Sequence, residues 1–174
     1  MCIRYRGFVY QFACYPRRIV PDEVRARSRA SILLVTKNEE ERGLGVALPQ
    51  GALNLFEPSA RGPQLVNQNS LRDYAVGQNV ELTVGQSQEV AAICGAEVGE
   101  NFRFNDRRWF PMEAEIANDN NHPVTLRLDF GVSGQWDIRW GYGETRIKDG
   151  RLIGEITLPA NSETTLNWRQ RSQR

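Results

Sequence analysis

Apolar and polar residues alternate with a period of two over much of the chain, and this pattern predicts β-strands. The clearest case is Val124–Phe130, where Val, Leu, Leu and Phe alternate with Thr, Arg and Asp. Successive side chains of a strand point to opposite faces of its sheet, so this segment predicts a half-buried strand. Val80–Val84 and Trp136–Trp140 alternate in the same way. No stretch keeps a helical period over about 11 residues, so the expected fold class is all-β.

Turn signals rich in glycine, proline and asparagine divide the rest of the chain into further expected strands. These cover residues 1–15, 24–35, 64–74, 90–98, 109–117, 152–158 and 163–169. Gly85 is expected to end the strand that begins near Val80. Lys148-Asp149-Gly150 predicts a hairpin, because Asp-Gly accepts the positive φ angles of a tight two-residue turn.

The segment Gly43–Glu57 contains two apolar runs, Leu44–Leu48 and Ala52–Phe56, on either side of Pro49-Gln50-Gly51. Proline fixes φ and glycine accepts positive φ, so the break has the composition of a tight turn. We therefore expect two strands joined by a turn in the middle of the first half of the chain.

The length of 174 residues is enough for one domain or for two small β portions. A charged stretch over residues 100–108 indicates a weak boundary near Gly99. We expect an N-terminal β portion over residues 1–98 and an immunoglobulin-like β-sandwich over residues 99–174. A single continuous domain is the alternative.

Composition is that of an ordinary soluble globular protein, with 40% hydrophobic residues, 25% charged residues and a net charge of +1. No apolar run approaches the ~18 residues of a transmembrane helix. The first six residues lack the apolar core of a signal peptide. We therefore expect a protein that stays inside the cell, or a mature or trimmed form.

Arginine is concentrated at the N-terminus, where seven arginines face only two acidic residues within the first 29 positions. Arg25, Arg27 and Arg29 alternate with other residues and would share one strand face. A row of arginines can grip phosphates, but it is more often the solvated face of a strand. Because no groove-reading motif accompanies these residues, nucleic-acid binding is not favoured.

Three cysteines, Cys2, Cys14 and Cys94, are present without any C-x-x-C spacing, so a zinc site is not expected. Three buried thiols are the favoured state, because free cysteine behaves as a small apolar side chain. One disulfide with one free thiol is the alternative in an oxidising compartment.

Nucleophilic catalysis by serine or cysteine usually needs a histidine within reach. The only histidine, His122, stands in an asparagine-rich turn directly before Pro123 and is expected to be solvated or structural.

The oxygens of Asn118–Asn121 favour turn formation over calcium binding, because the EF-hand glycine and terminal glutamate are missing. Gly141-Tyr142-Gly143 has no lysine and no following helix, so it is no phosphate loop. No cofactor is expected.

Two carboxylate pairs are candidates for a glycosidase. They are Glu113 with Glu115, and Asp129 with Asp137. The first pair would share a strand face, which also suits pairing with arginines across a sheet.

Trp136, Trp140 and Tyr142 lie close together in the sequence near glycine-rich turns. They can be part of a sandwich core, where aromatic rings add a large buried area. The core position is favoured, and the alternative is an exposed platform for a carbohydrate or a protein partner. With the three arginines, they are the candidate binding residues.

Four short motifs occur in order along the chain. They are Gly43–Gly51 (GLG-x-x-LP-x-G), the strand within Val76–Gly85, Glu115–Asn118 with Pro123–Leu126, and Leu158–Ala160 with Glu163–Leu166. This order resembles the C-terminal domain of mucoidy-inhibitor-A-like proteins, over about residues 24–171. The N-terminal β domain and coiled coil of typical members have no counterpart here. The resemblance therefore implies the terminal β module alone, or a shortened relative.

The resemblance implies a module of unknown function, associated with the bacterial envelope or periplasm in some members, with no catalytic residue to carry over. We expect a non-catalytic module whose partner is a protein, or a second copy, engaged through edge strands. The alternative is a carbohydrate-active enzyme or carbohydrate-binding domain that uses a carboxylate pair beside Trp136 and Trp140.

Overall fold

The computed structural model describes residues 7–18, 27–100, 102–104 and 107–173. Eleven strands account for most of this part of the chain, and its only helical element is a 3-10 turn at Glu40–Arg42. The expected all-β class is therefore confirmed. Residues 1–6 and 24–26, which were also expected in strands, lie outside the described residues.

The strands have the following bounds. They are β1 (Gly7–Ala13), β2 (Ser28–Lys37), β3 (Gly51–Glu57), β4 (Gln64–Leu71), β5 (Asn79–Gly95), β6 (Phe110–Asn118), β7 (Val124–Val132), β8 (Trp136–Arg139), β9 (Thr145–Lys148), β10 (Arg151–Leu158) and β11 (Ser162–Ser172). Nine of them form one sheet in the order β8-β11-β6-β5-β2-β1-β7-β10-β9, and β3 pairs with β4 separately. β5 continues through Gly85, so the expectation that this glycine ends a strand is wrong.

Two compact units can be distinguished by their internal contacts. Unit 1 falls within Met1–Val9 and Ser31–Gln86, and unit 2 within Tyr10–Ala30 and Ser87–Arg174. The boundary expected near Gly99 stays a prediction.

The core of unit 1 is a cluster of buried apolar side chains. Its members are Leu34, Tyr74, Val80 and Leu82, with Leu44, Leu48, Leu53, Leu71 and Val84 packed against them. Val80, Leu82 and Val84 reach the same cluster from alternate positions of β5, as their period of two predicts.

Leu44–Leu48 is not a strand, contrary to expectation; only Leu48 makes an isolated bridge, to Tyr74. The segment is held instead by the buried side chain of Asn38. Asn38 Nδ2 donates to the carbonyl oxygen of Val46 at 2.8 Å, and its Oδ1 accepts from Gly45 N at 3.0 Å. These hydrogen bonds take the place of strand pairing, because the side chain of Asn38 satisfies backbone N–H and C=O groups that a neighbouring strand would otherwise pair.

The core of unit 2 lies between strands that are not neighbours in the sheet. The rings of Phe130 in β7 and Trp168 in β11 are 5.6 Å apart, although β7 and β11 are far apart in the strand order. The sheet of this unit therefore folds over its own apolar side. Fully buried large side chains on this side include Phe110, Met112, Ile116, Leu126, Leu128, Leu158 and Leu166.

β7 is buried on both faces rather than half-buried, which corrects the expectation from its alternation. Arg127 and Asp129 are each only 3% exposed. The burial is tolerated because each charge has a partner on the neighbouring strand. Arg127 Nε donates to Glu155 Oε1 at 2.7 Å, and Asp129 accepts a hydrogen bond from Arg151 Nε.

Cys14 and Cys94 form a disulfide with a Cα–Cα distance of 5.6 Å. The prediction of three thiols is therefore wrong for this pair, although both cysteines are buried. Sequence spacing could not show the pairing, because the two residues are 80 positions apart and meet only through the sheet. Cys2 lies outside the described residues.

The predicted hairpin at Lys148-Asp149-Gly150 is confirmed. Asp149 and Gly150 have φ angles of 48° and 75°, as both central residues of a type I′ turn require. The turn joins β9 to β10, and Arg151 faces Lys148 across it.

Candidate functional site

β10 and β11 follow each other in the chain, yet they do not pair. β10 pairs with β7 and β9, and β11 pairs with β6 and β8. β9 covers β10 only along Arg151–Gly154, and β8 covers β11 only along Arg169–Ser172. Within the described chain, Glu155–Leu158 and Ser162–Trp168 therefore each have one side without a neighbouring strand.

A cleft of about 480 Å³ lies along these two uncovered lengths, and we call it the β10–β11 cleft. It is lined by Thr125, Tyr142, Glu155, Ile156, Thr157, Leu158, Pro159, Thr164 and Leu166. Its size is that of an ordinary ligand pocket, for which roughly 300–1,000 Å³ is typical. The cleft is therefore the candidate functional site.

The backbone of β11 presents hydrogen-bonding groups to this cleft that no strand among the described residues pairs. The N–H of Asn167 donates to the hydroxyl oxygen of Tyr142 at 2.9 Å, so it points away from β6. In an antiparallel strand, alternate residues direct their N–H and C=O groups to the same side. Thr165 and Glu163 therefore point their N–H and C=O groups to the same side as Asn167.

The backbone of β10 also directs hydrogen-bonding groups toward the cleft, from the opposite wall. In a two-residue hairpin the closing pair, Lys148 and Arg151, is hydrogen-bonded, so Arg151 and Ile153 direct their groups toward β9. Beyond the end of β9, Glu155 and Thr157 continue this alternation toward the cleft. The carbonyl oxygen of Glu155 lies 3.8 Å from where a Cβ on Gly143 would stand, which places Gly143 beside this edge.

Tyr142 lies at one end of the cleft, in the connection between β8 and β9. Its ring packs against Trp140 with a centroid distance of 4.9 Å, and the residue is 41% exposed. Through the bond to Asn167 it occupies one backbone donor of β11. Tyr142 therefore marks the point at which the uncovered edge of β11 ends.

Trp140 is packed into an aromatic cluster behind the cleft. Its ring lies 5.2 Å from Phe130 and 5.7 Å from Trp168. It also covers Gly154, where an added Cβ would come within 3.3 Å of the indole. Its Nε1 is buried and has no hydrogen-bond partner among the described residues.

Trp136 belongs to a different cluster. It contacts Phe110 at 6.2 Å, edge to face, and is half-buried. The structure therefore brings Trp140 and Tyr142 together, and it does not bring Trp136 to them.

Two of the candidate arginines, Arg27 and Arg29, are not part of the cleft lining. Arg27 pairs with Glu163 at 2.8 Å on the surface of unit 2. Arg29 is an exposed residue of β2. Arg25 lies outside the described residues, so the expected row of three stays a prediction.

Among the described residues, Glu155 is the only acidic one that lines the cleft. Its Oε1 accepts hydrogen bonds from Arg127 at 2.7 Å and from Arg146 at 2.8 Å. Because two guanidinium groups share this carboxylate, the cleft has no uncompensated negative charge on this wall.

The other candidate carboxylates are bound to arginines or lie elsewhere on the sheet. Asp137 Oδ2 accepts from Arg171 at 2.7 Å, and the hydrogen bonds from Arg171 and Gln173 lower the pKa of the Asp137 carboxyl. Asp129, as described above, is bound by Arg151. Glu113 and Glu115 face Asn167 and Thr165 across β6 and β11, rather than arginines.

The side chain of Asn118 holds the bend that follows it through hydrogen bonds. Asn118 is buried, and its Nδ2 donates to the carbonyl oxygen of Pro159 at 2.6 Å. Its Oδ1 accepts from the side chain of Asn120 at 2.9 Å, so the asparagine oxygens serve the turn itself. His122 is exposed in this bend, and its Nδ1 lies 3.2 Å from the carbonyl oxygen of Pro123.

No cluster of three or more His, Cys, Asp or Glu side chains that could hold a metal ion occurs in the described residues. The described part of the chain also contains no helix that is long and apolar enough to cross a membrane. Comparisons with protein-family models, with curated proteins and with solved structures each found no match.

Proposed function

We propose that the chain is a non-catalytic binding module that engages a partner protein, or a second copy of itself, by adding a strand to the uncovered edges of unit 2. The proposal includes an immunoglobulin-like arrangement of two facing layers in this unit. It also includes association with a bacterial envelope, as the resemblance to the mucoidy-inhibitor-A-like domain suggests.

The observation that supports it is the row of backbone groups along β10 and β11 that no described strand pairs. An uncovered edge presents N–H and C=O groups at the spacing of a strand, so it can template the pairing of another chain. The outer edges of the sheet, by contrast, are β8 and β9, which have only four residues each. Short edge strands of this kind are a common protection against such pairing.

We favour this function over a carbohydrate-active enzyme because both carboxylates of one candidate pair, Asp129 and Asp137, have structural partners. Asp129 and Asp137 are bound by Arg151 and Arg171. Trp136 and Trp140 pack against other rings of unit 2 and do not form one shared platform.

Two measurements on the full chain test the proposal. The first is size-exclusion chromatography with light scattering at several concentrations, which detects association with a second copy. The second is selection of seven-residue peptides from a random displayed library on the immobilised chain. We expect either a concentration-dependent dimer or enriched peptides that alternate apolar and polar residues. A strict monomer that enriches no peptide would overturn the proposal.

A further inference from the structure

The two uncovered edges face one cleft, and this arrangement limits what can fill it. The alternation of the two ladders turns the backbone groups of Thr157 on β10 and Thr165 on β11 away from β7 and β6. Thr157 lines the cleft, and Thr164 and Leu166, on either side of Thr165, line its other wall. A ligand with a single polar end would satisfy only one wall. An extended peptide carries N–H and C=O groups on both sides, so it can pair with both.

The side chains of the cleft favour an uncharged occupant. Leu158 and Leu166 are 1% and 2% exposed and form its apolar floor. Threonines supply much of the remaining lining, and the carboxylate of Glu155 is bound by two arginines. A charged side chain placed over the leucines would lose hydration without gaining a partner, which is unfavourable.

The length of the occupant follows from the edges. Glu155–Leu158 is the uncovered part of β10, and Tyr142 already occupies the N–H of Asn167 on β11. At ~3.3 Å per residue, a strand of about four or five residues fits between Tyr142 and the turn at Pro159. The ring of Tyr142 would stop it at one end.

Building on the proposed function, we infer that the β10–β11 cleft is the binding site and that its occupant is an uncharged, extended segment of a protein chain. The segment becomes a short strand between β10 and β11. Its alternate side chains are small or apolar where they face Leu158 and Leu166. Tyr142 fixes the register at which it pairs.

Proline substitution tests the site, because it removes one backbone donor. Thr165→Pro deletes an N–H that faces the cleft and spares the bonds between β11 and β6, since proline is tolerated where a strand edge is unpaired. The matched control is Ile147→Pro, in edge strand β9, whose N–H points to the outer side by the same alternation. Circular dichroism and thermal melts establish that both variants fold.

The probes are the seven-residue peptides selected on the wild-type chain, or the dimer if the chain self-associates. We expect Thr165→Pro to weaken binding about tenfold or more and Ile147→Pro to leave it unchanged, because one lost backbone bond is worth roughly a factor of ten. Amide exchange on the wild-type chain provides a second readout that needs no variant. Peptide binding should slow exchange at Thr157 and Thr165 and should not affect Ile147.

The possible outcomes separate this inference from the proposed function. If Thr165→Pro does not affect binding or dimerisation, and the slowed amide exchange lies elsewhere, the assignment of the binding site to the β10–β11 cleft is wrong. The proposed function is then unaffected. A dimer that Thr165→Pro disrupts supports the site and identifies a second copy as the source of the segment. If neither peptide binding nor association occurs, both proposals fail.

Discussion

The hydroxyl oxygen of Tyr142 accepts a hydrogen bond from the backbone N–H of Asn167 at 2.9 Å. This contact joins the connection between β8 and β9 to β11, just beyond the point where the pairing of β8 with β11 has ended. A side chain therefore takes the place of the missing strand for one residue. Further along the edge, toward Ser162, no described strand continues this role.

Tyr142→Phe should remove the hydrogen bond to the amide of Asn167 and leave the other contacts of the ring in place. The phenylalanine ring keeps the contact with Trp140, while the acceptor for Asn167 is lost. We expect faster amide exchange at Asn167 and a loss of stability of about 1 kcal/mol or less, since the bond lies near the surface. Exchange followed by NMR, with a urea melt, measures both. The amide of Arg169, which β8 covers, is the internal control; an unchanged rate at Asn167 would contradict the geometry.

The two tryptophans of the aromatic cluster should respond differently to replacement by phenylalanine. Trp168 Nε1 donates to Oε1 of the buried Gln170 at 3.2 Å, whereas Trp140 Nε1 has no partner in the described residues. Trp168→Phe leaves a buried acceptor unpaired, and Trp140→Phe removes a donor that is already unpaired. We expect Trp168→Phe to be more destabilising by about 1–2 kcal/mol in urea denaturation.

Part of this difference could come from the deeper burial of Trp168, so a double-mutant cycle is needed. Combining Trp168→Phe with Gln170→Leu should restore some of the lost stability, because both polar partners are then absent. Strict additivity of the two substitutions would show that the hydrogen bond contributes nothing.

The strands and one hairpin could be predicted from the sequence because they depend on local pattern. Asp149-Gly150 needs only its own φ angles to form its turn. The burial of Arg127 and Asp129 could not be predicted in this way. Their partners, Glu155 and Arg151, lie on β10, the neighbouring strand of the sheet. The alternation within β7 alone does not show which residues of another strand will lie beside Arg127 and Asp129.

The candidate site shows the same limit. Tyr142 and Trp140 could be selected from the sequence because aromatic residues near glycines are prominent. The uncovered edges of β10 and β11 could not be predicted from the sequence, because the pairing of strands depends on the whole sheet. Two consecutive strands with a short link would ordinarily be expected to form a hairpin.

Asn38 should be one of the residues on which unit 1 most depends. Its side chain is fully buried and bonds to Gly45, Val46 and Ala75. Asn38→Ala leaves these partly buried backbone groups without their side-chain partner, at a cost of roughly 2–4 kcal/mol. Chemical denaturation measures the loss. Asn54→Ala, at an exposed position of β3, is the matched control and should change stability by less than about 0.5 kcal/mol.

The lowered pKa of Asp137 predicts a pH dependence with a definite sign. Its carboxylate is favoured by the hydrogen bonds from Arg171 and Gln173. A folded-state pKa below the usual value of about 3.9 adds stability above that pH, and the stability is lost as pH falls through the lowered pKa. Arg171→Gln should raise the pKa of Asp137, as followed by the carboxyl chemical shift in an NMR titration. An unchanged titration midpoint would mean that Arg171 does not hold this carboxylate.

The disulfide between Cys14 and Cys94 should be a main source of stability in unit 2. It closes a loop between residues 80 positions apart, and a loop of that length corresponds to roughly 4.5 kcal/mol in the chain-entropy model. Reduction, or the double substitution Cys14→Ala with Cys94→Ala, should lower the free energy of unfolding by about 2–5 kcal/mol in guanidinium denaturation. The double variant is also the control, since a reductant should then have no further effect. Alkylation of Cys14 and Cys94 in the folded, unreduced protein would show instead that the two sulfurs are free thiols.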